Sequence, residues 1–557
     1  MSSVPSGNAE LIEKLFAVSN LPKWHLKAIF PLNYLIAYDS TRLLSIKFVI
    51  FVNIQLINPQ IKMYFIGFDL GSSSVKACLL DAATGKMVAS AFYPETEMAI
   101  SSPQAGFAEQ NPEQWWENAC MASKSVLQKS GVQPSDVKAI GIAYQMHGLV
   151  IVDKDLNVLR PSIIWCDSRA VSIGNAALQG IGEEKALKHL LNSPGNFTAS
   201  KLAWVKQEEP EVYAQVHKMM LPGDYLAARM TNEVVTTASG LSEGVLWDFV
   251  EGAPAQMVLD YYGFDQSVLA EVKPTFGIQG YLTAVAAEKL GLAENTPVTY
   301  RSGDQPNNAF SLNVLEPGEV AATAGTSGVV YGISDQAKYD SKSRVNTFLH
   351  VNNTAADPRF GVLLCINGTG ILNSWTRNKL IKGSLSYGQM NEFAAEVPIG
   401  SDGLVCLPFG NGAERMLENS NPGASFNGLD FSRHDLGHLL RAGQEGIAFS
   451  FYYGMQIMEN LGVPLTTIRA GDANMFLSPV FRETFANVSQ AVVELYNTDG
   501  AQGAARGAGF GLSYYKNRNE AFEGLSTNLI IEPDPGRVEQ TKEAYNAWKK
   551  QFDKELN

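Results

Sequence analysis

The sequence predicts an α/β protein of two similar halves, and three observations carry that prediction. At 557 residues the chain exceeds one ordinary domain, since roughly 100–200 residues make up a typical one. Strand-like runs alternate with stretches of helical periodicity, which is the pattern of α/β folds. A unit of strand, small-residue turn and strand at 64–81 returns at 320–333, and self-similarity at long spacing marks an internal duplication.

The elements follow in order. Residues 64–69 read as a strand, Gly71, Ser72, Ser73 and Ser74 as a turn, and 75–81 as the returning strand of a hairpin. Helical periodicity begins at 112–130. Residues 137–153 read as two strands interrupted by Gln145-Met146-His147-Gly148, and 163–165 as a short buried strand leading into Cys166-Asp167-Ser168-Arg169. A helix is expected at 199–208, and another from Pro306, because proline suits a first helical turn. The second hairpin is 320–324, then Gly325, Thr326, Ser327 and Gly328, then 329–333. Helices are expected from Phe393 onward, at 436–461 and at 478–496, with Phe449, Phe451 and Met455 as core. The charged segment from Glu532 to the end reads as a surface helix or tail.

Composition excludes several classes. With 45% hydrophobic and 18% charged residues the chain can bury real cores, unlike disordered or fibrous sequences. A net charge of −13 is the wrong sign for a nucleic-acid or anionic-membrane partner. The five cysteines form no C-x-x-C pair, so neither zinc nor disulfides are expected and the reduced cytoplasm is the natural compartment. The most apolar early stretch, 46–57, is broken by Lys47, Asn53 and Gln55 and falls short of the ~20 residues that span a bilayer. The first 62 residues carry six basic against three acidic side chains, a net of +3 in an acidic chain, and show no clean periodicity. They read as a leader, an appendage or over-extended start outside the catalytic fold; an integral extra subdomain stays open.

Turns of glycine and hydroxyl residues let successive N–H groups converge on an anion, so one turn per half suits a phosphate chain gripped across a cleft. The G-x-x-x-x-G-K-[ST] loop is missing, which excludes a P-loop enzyme. Asp69, beside the first turn, either supports a hydrated Mg²⁺ or caps local N–H groups. Asp304 is either a helix N-cap or a base aimed into the cleft. His147 closes an apolar strand, where a lone histidine is more often a satisfied structural residue than a functional one, and its neighbours, polar Gln145 and flexible Gly148, tilt it toward a substrate hydroxyl.

Taken together, F-I-G-F-D-L-G-S-S-S-V-K-A, Q-M-H-G, W-C-D-S-R, S-G-D-Q, A-G-T-S-G and L-P-F-G-N-G-A-E-R resemble the FGGY carbohydrate kinases, in order, over 63–515. Q-M-H-G is similar to the xylulokinase branch of that family. The resemblance implies two actin-like (ribonuclease H-like) ATPase domains around an interdomain cleft. It implies a sugar-binding N-terminal domain over 63–312, an ATP-binding C-terminal domain over 313–515 and a tail over 516–557. It further implies Asp304 as catalytic base and Asp69 as support for Mg²⁺ through water. Met146, His147, Trp165, Asp167, Asp304 and Gln305 would bind the sugar. ATP and its phosphates would meet Gly71, Ser72, Ser73, Ser74, Gly325, Thr326, Ser327, Gly328, Gly471, Asp472 and Asn474. The expected activity is ATP-dependent phosphorylation of D-xylulose to D-xylulose 5-phosphate in pentose catabolism. The alternatives are ribulose, fuculose, gluconate or glycerol as substrate, or an actin-like nucleotide switch without one. Expected partners are a small sugar, neither nucleic acid nor membrane, with a homodimer left open. Two departures show: the family's adenosine segment is richer in glycine than 469–474, and Gln305-Pro306-Asn307-Asn308 stands where small residues are commoner.

The leader generates a prediction. A chain starting at Met63 should fold, stay soluble and phosphorylate sugar like the full chain, and thermal unfolding with a turnover assay checks it. A fall of more than a few degrees in Tm would show that residues 1–62 pack on the fold, since about 1 kcal/mol corresponds to only ~2–4 °C in a domain of this size.

Overall fold

The computed structural model describes residues 62–556, and the expectation for the leader lies outside the described residues. The first half opens with β1 (Tyr64–Leu70), buried along nearly its whole length as a central strand must be. A turn closed by the Gly71 N–H donating to the Ser74 carbonyl at 3.0 Å returns the chain as antiparallel β2 (Val75–Asp81), with Asp69 opposite Lys76. β3 (Met87–Tyr93) forms the edge. Helix α1 (Pro112–Ser130) starts on an Asn111 cap with Pro112 in its first turn and stops at Gly131, whose φ is 67°; cap, proline and left-handed glycine each suit their place. β4 (Val137–Tyr144) runs parallel to β1. Helix α2 (Thr198–Glu208) lies in the long insertion that follows. β5 (Phe276–Tyr281) then pairs antiparallel with β6 (Pro297–Gly303), which runs parallel to β4 and passes directly into α3 (Asp304–Ser311). The sheet order is β5-β6-β4-β1-β2-β3.

The second half repeats this plan. β7 (Glu319–Ala324) and β8 (Gly328–Ser334) form the hairpin, and β10 (Phe360–Ile366) pairs with β8 on one side and short β9 (Asn346–Leu349) on the other. Helices α4 (Tyr387–Ala395) and α5 (Leu436–Asn460) follow. β11 (Thr467–Gly471) lies parallel to β7, α6 (Pro479–Ser489) follows it, and β12 (Val492–Tyr496) lies parallel to β11. Helix α7 (Gly500–Gly511), strand β13 (Thr527–Ile531) and helix α8 (Val538–Leu556) complete the chain. The order is β9-β10-β8-β7-β11-β12-β13. Stripped of its outer strands, it matches β3-β2-β1-β4-β6 strand for strand and direction for direction. This is the duplicated actin-like fold that the resemblance implies.

Strand parity decides what packs where. Ile66, Phe68 and Leu70 of β1 join the cluster built around Trp115 of α1. Phe65 joins the opposite cluster with Ala504, Ala505 and Ala508 of α7. Gly67 and Gly141 lie on that second face, and α7, though it follows a strand of the other half, rests directly on them. A Cβ on Gly67 would fall 2.1 Å from the Ala501 carbonyl oxygen, and one on Gly141 would fall 1.9 Å from that of Ala504. The backbones touch because the sheet carries glycine there and the facing helix residues are alanines.

Three expectations are corrected. The segment 516–557 is no tail: β13 pairs with β12, and Tyr545, Trp548 and Phe552 of α8 sit in the second core with the Trp548 indole N–H donating to the Cys406 carbonyl at 2.9 Å. Its charge marks only the outer face of an amphipathic helix. The segment 478–496 is a helix followed by a strand, because Gln490 with φ 55° stops the helix. The helix expected from Phe393 onward ends at Ala395 and begins upstream, on a Ser386–Gln389 capping box. Phe449, Phe451 and Met455 are buried as expected. All five cysteines are free thiols, and among the described residues no helix is long and apolar enough to cross a membrane.

Gly141→Ala should lower Tm by several degrees, since forcing a methyl into a closed contact typically costs about 1–3 kcal/mol. Gly443→Ala is the control: it lies in α5 with its nearest neighbour 3.7 Å from the new Cβ, and should leave Tm unchanged or raised. Equal thermal midpoints for the two variants would contradict the packing of α7 on the first sheet.

Candidate active site

The two hairpin turns and the ends of β4 and β6 open into one cavity of about 560 Å³. It is lined from the first half by Asp69, the turn 71–74, Lys76, Gln145, Met146, His147, Trp165, Asp304 and Gln305, and from the second by Ser327, Asn346, Cys365 and Arg415, among others. Ligand sites of α/β sheets lie beyond strand ends for a physical reason: the ladder stops there and side chains and N–H groups are free.

The first turn is held from below. Gln110 donates to the Ser72 carbonyl at 2.6 Å and accepts from the Trp115 indole and the Gln145 amide at 3.2 Å each, while the Gln145 N–H donates to the Leu70 carbonyl at 2.8 Å. Asp69 shares the face of β1 that carries Gly67 and therefore points toward α7. A Cβ on Gly500 would lie 2.2 Å from its Oδ2. Burial and then the neighbouring Asp499 push the Asp69 carboxyl up to about 6, against the pull of Lys76. Lys76 itself is ion-paired with Asp499 at 2.5 Å, and Asp499 also caps α7 through the Gln502 N–H at 2.9 Å.

Asp304 is the first residue of α3, directly after β6. Burial and then the Asp69 charge push its carboxyl up to about 7, against hydrogen bonds from Gln305. Two carboxylates facing one cavity thus titrate near neutrality, an arrangement suited to proton exchange. Gly303 before it has no room for a side chain: a Cβ would lie 2.3 Å from Glu243 Oε2 and 2.7 Å from Met146 Cγ.

His147 has φ 61°, a left-handed conformation that turns the strand end into the cavity. Its Nδ1 lies 2.9 Å from the Glu243 carbonyl oxygen. Burial, then the Lys201 charge, hold its pKa down at about 3, so the ring is neutral, Nδ1–H donates to that carbonyl, and Nε2 is left as an acceptor. Lys201 of α2 is fully buried and donates to the carbonyls of His147 at 2.8 Å and Ile164 at 3.0 Å, which fixes both strand ends. The rings of Phe197 and His147 pack edge to face at a centroid distance of 4.7 Å.

A second cavity of about 300 Å³ adjoins the second turn and is lined by Gly325, Thr326, Asn373, Tyr387, Asn391, Asn474 and Ser478, among others. The turn 325–327 therefore faces one cavity with Gly325 and Thr326 and the other with Ser327. Its carbonyls are tied to the start of the short helix Gly370–Trp375, Gly370 N–H donating to Gly325 at 2.9 Å and Ile371 N–H to Thr326 at 3.0 Å.

The expected site residues divide accordingly. Asp69, Gly71, Ser72, Ser73, Ser74, Met146, His147, Trp165, Asp304, Gln305 and Ser327 meet in the first cavity, and Gly325, Thr326 and Asn474 in the second. Asp167 stands apart from both linings: it is fully buried, ion-paired with Arg169 at 2.7 Å and accepting from the Ala108 N–H at 2.6 Å, so its work is to fold the loop. Gly328 belongs to β8, where a Cβ would meet the Phe451 ring at 2.4 Å, so close packing explains it. Gly471 ends β11, and exposed Asp472 accepts from Asn528 at 3.1 Å, outside both linings. Lys76, Asn196, Phe197 and Arg415 were not singled out by sequence. Lys76 and Arg415 lie within motifs already quoted, but only the fold shows that they face the cavity.

Comparison with known proteins agrees with this geometry. The N-terminal domain of the FGGY family of carbohydrate kinases matches residues 64–311, and its C-terminal domain matches 320–510. The xylulose kinase of Escherichia coli is 30% identical over 448 residues, 80% of this chain and 88% of that one. Among solved structures, the xylulose kinase of Rhodospirillum rubrum superposes with a TM-score of 0.77 at 26% identity, covering 88% of this chain and 98% of that one. The gluconate kinase of Lactobacillus acidophilus shares the fold, with a TM-score of 0.80 at 22% identity over 89% and 98% of the two chains. Two hairpin-first sheets, a cleft that both turns enter, and family matches across both halves lead to one conclusion: the chain belongs to the FGGY family of carbohydrate kinases and is a sugar phosphotransferase.

Proposed function

We propose that this kinase transfers the γ-phosphoryl group of ATP to the terminal hydroxyl of D-xylulose, giving D-xylulose 5-phosphate. The observation that carries the reading is the meeting, in one cavity, of Asp304, neutral His147, the turn 71–74 and Ser327 of the second turn. ATP would lay its base and ribose in the cavity of the second half, beside Tyr387, Asn391 and Asn474, and run its phosphates past the turn 325–327 toward 71–74. Sugar in the first cavity would have its reacting hydroxyl at Asp304 and a distal hydroxyl donating to His147 Nε2.

Asp304 accepts the proton of the attacking hydroxyl as its oxygen bonds to phosphorus and ADP departs. Phosphoryl transfer leaves little covalent work to the protein beyond this, so alignment and charge neutralisation dominate. Among the described residues no cluster of three or more His, Cys, Asp or Glu side chains could cage a metal. An enclosed carboxylate beside an anion-binding turn instead fits Mg²⁺, which usually keeps its waters and is held by one or two carboxylates plus phosphates. Asp69 is that carboxylate, and Mg²⁺ when bound would supply charge neutralisation. Lys76, paired with Asp499, keeps Asp69 correctly placed against α7. Rotation of the halves about this contact would exclude water from the phosphoryl group.

Asp304→Asn should lower kcat by roughly 10²- to 10⁴-fold without lowering Tm, since an amide removes a buried charge. In the parent enzyme kcat/KM should rise with pH through about 7 as Asp304 loses its proton, and the residual activity of the variant should lack that limb. Near-normal turnover in the variant would remove Asp304 from the reaction.

His147→Ala should raise KM for D-xylulose about 10-fold or more while KM for ATP stays within a factor of two, because a buried sugar hydroxyl left unpaired costs roughly 1–3 kcal/mol. Parallel changes in both constants would make His147 structural. ADP release measured across D-xylulose, D-ribulose, L-fuculose, D-gluconate and glycerol tests the choice of substrate, and a preference for any of the others overturns the xylulose assignment.

A further inference from the structure

The cations around the cleft are accounted for with one exception. Lys76 is paired with Asp499, Lys201 donates to two carbonyls, and Arg169 is bound to Asp167 and Glu109. Arg415 lines the cavity from the second half, and among the described residues its guanidinium has neither an ion pair nor a hydrogen bond. It rests with its central carbon 5.8 Å over the Phe197 ring. Burial lowers its pKa, so a guanidinium with five donors is held partly out of water with nothing to donate to. Desolvated donors without acceptors are costly and rare. The site has also been built for it: the adjacent Glu414 carboxylate accepts from the Asn367 N–H at 2.9 Å and the Gly368 N–H at 2.8 Å, anchoring the loop that carries Arg415 to the end of β10.

Its place in the cavity is toward the far end of the sugar. Phe197 packs against His147 and lies under the Arg415 guanidinium, and the Arg415 charge is felt by His147, whereas Asp304 feels Asp69 as its neighbouring charge. A guanidinium offers two parallel N–H groups to a pair of oxygens. We infer that Arg415 is a specificity-determining residue that donates to the vicinal carbonyl and hydroxyl oxygens at the end of the ketose remote from the phosphorylated hydroxyl. The sugar then bridges the halves: His147 and Asp304 hold it from the first, Arg415 from the second. This inference rests on the sugar-kinase reading above and adds the sugar's contact with the ATP-side half.

The test is steady-state kinetics on the full chain with Arg415→Gln and Arg415→Lys. The expected result for Arg415→Gln is a rise of roughly 10- to 100-fold in KM for D-xylulose, the scale of a hydrogen bond to a charged group. KM for ATP should stay within a factor of two, and Tm should be unchanged or higher because an unpaired, partly buried charge is gone. Arg415→Lys keeps the charge without the fork and should recover part of the loss. An unchanged sugar KM in Arg415→Gln overturns the assignment, as does a rise confined to KM for ATP, which would place the guanidinium on the nucleotide phosphates. A fall in kcat alone overturns it too, since that would place Arg415 on the transferring group. If D-gluconate proves a better substrate than D-xylulose and loses most from Arg415→Gln, the guanidinium reads a carboxylate and the ketose assignment fails. A parent enzyme that phosphorylates none of these compounds fails the kinase reading itself, which separates that failure from the failure of Arg415.

Discussion

Everything in the cleft depends on one contact, the backbone of α7 pressed against the glycines of β1 and β4. Because Gly67 and Gly141 carry no side chain, Ala501 and Ala504 reach the sheet. That approach sets Gly500 against the Asp69 carboxylate and brings Asp499 within 2.5 Å of Lys76. A larger residue at either glycine would lift the helix and with it the geometry of the first turn. The halves are therefore joined at the floor of the cleft itself, beside Asp69.

Electrostatically the cleft holds little free charge. Asp69 and Asp304 titrate close to neutrality, His147 is neutral, and Lys76 is bound to Asp499. On the proposed reading, backbone N–H groups of the turns, which carry partial charges and need no counter-ion, would meet phosphate. This reconciles a chain of net charge −13 with a polyanionic substrate: the attraction is local and short-ranged. The unpaired guanidinium of Arg415 is the exception, and it is carried by the half that supplies the second turn.

Much of this was legible in the sequence, and what was not has physical reasons. The two hairpins could be read because β-rich runs flanking a small-residue turn are a local signal, and their 3.0 Å closure at Gly71 and register at Ala324–Gly328 follow it. Asp304 and His147 could be read because strand-to-helix and strand-to-glycine junctions expose side chains. The crossing of α7 could not be read, since a helix of glycine and alanine looks weak by propensity and its partner glycines lie more than 350 residues upstream. Asp167 misled for the opposite reason: a carboxylate in W-C-D-S-R looks like a ligand, while Arg169, two residues on, had already neutralised it. The C-terminal segment misled because its charges are plain in sequence, whereas the stacking of Trp548 on Tyr545 and Phe552 needs the helix to be wound.

The placement of α7 also has a consequence for biosynthesis. Chains usually acquire structure domain by domain as they leave the ribosome, N-terminal part first. Here the strands of the first sheet are complete once Gly303 has emerged, but the helix that covers one of its faces ends at Gly511. For some two hundred residues of translation that face, with Phe65, Ala139, Ala143 and Tyr300 upon it, lacks its covering helix, although Phe276 and Phe310 already pack on Tyr300. The nascent protein must carry this incompletely covered apolar surface through more than a third of its synthesis, which makes the interval before α7 docks the one in which a holding chaperone matters most.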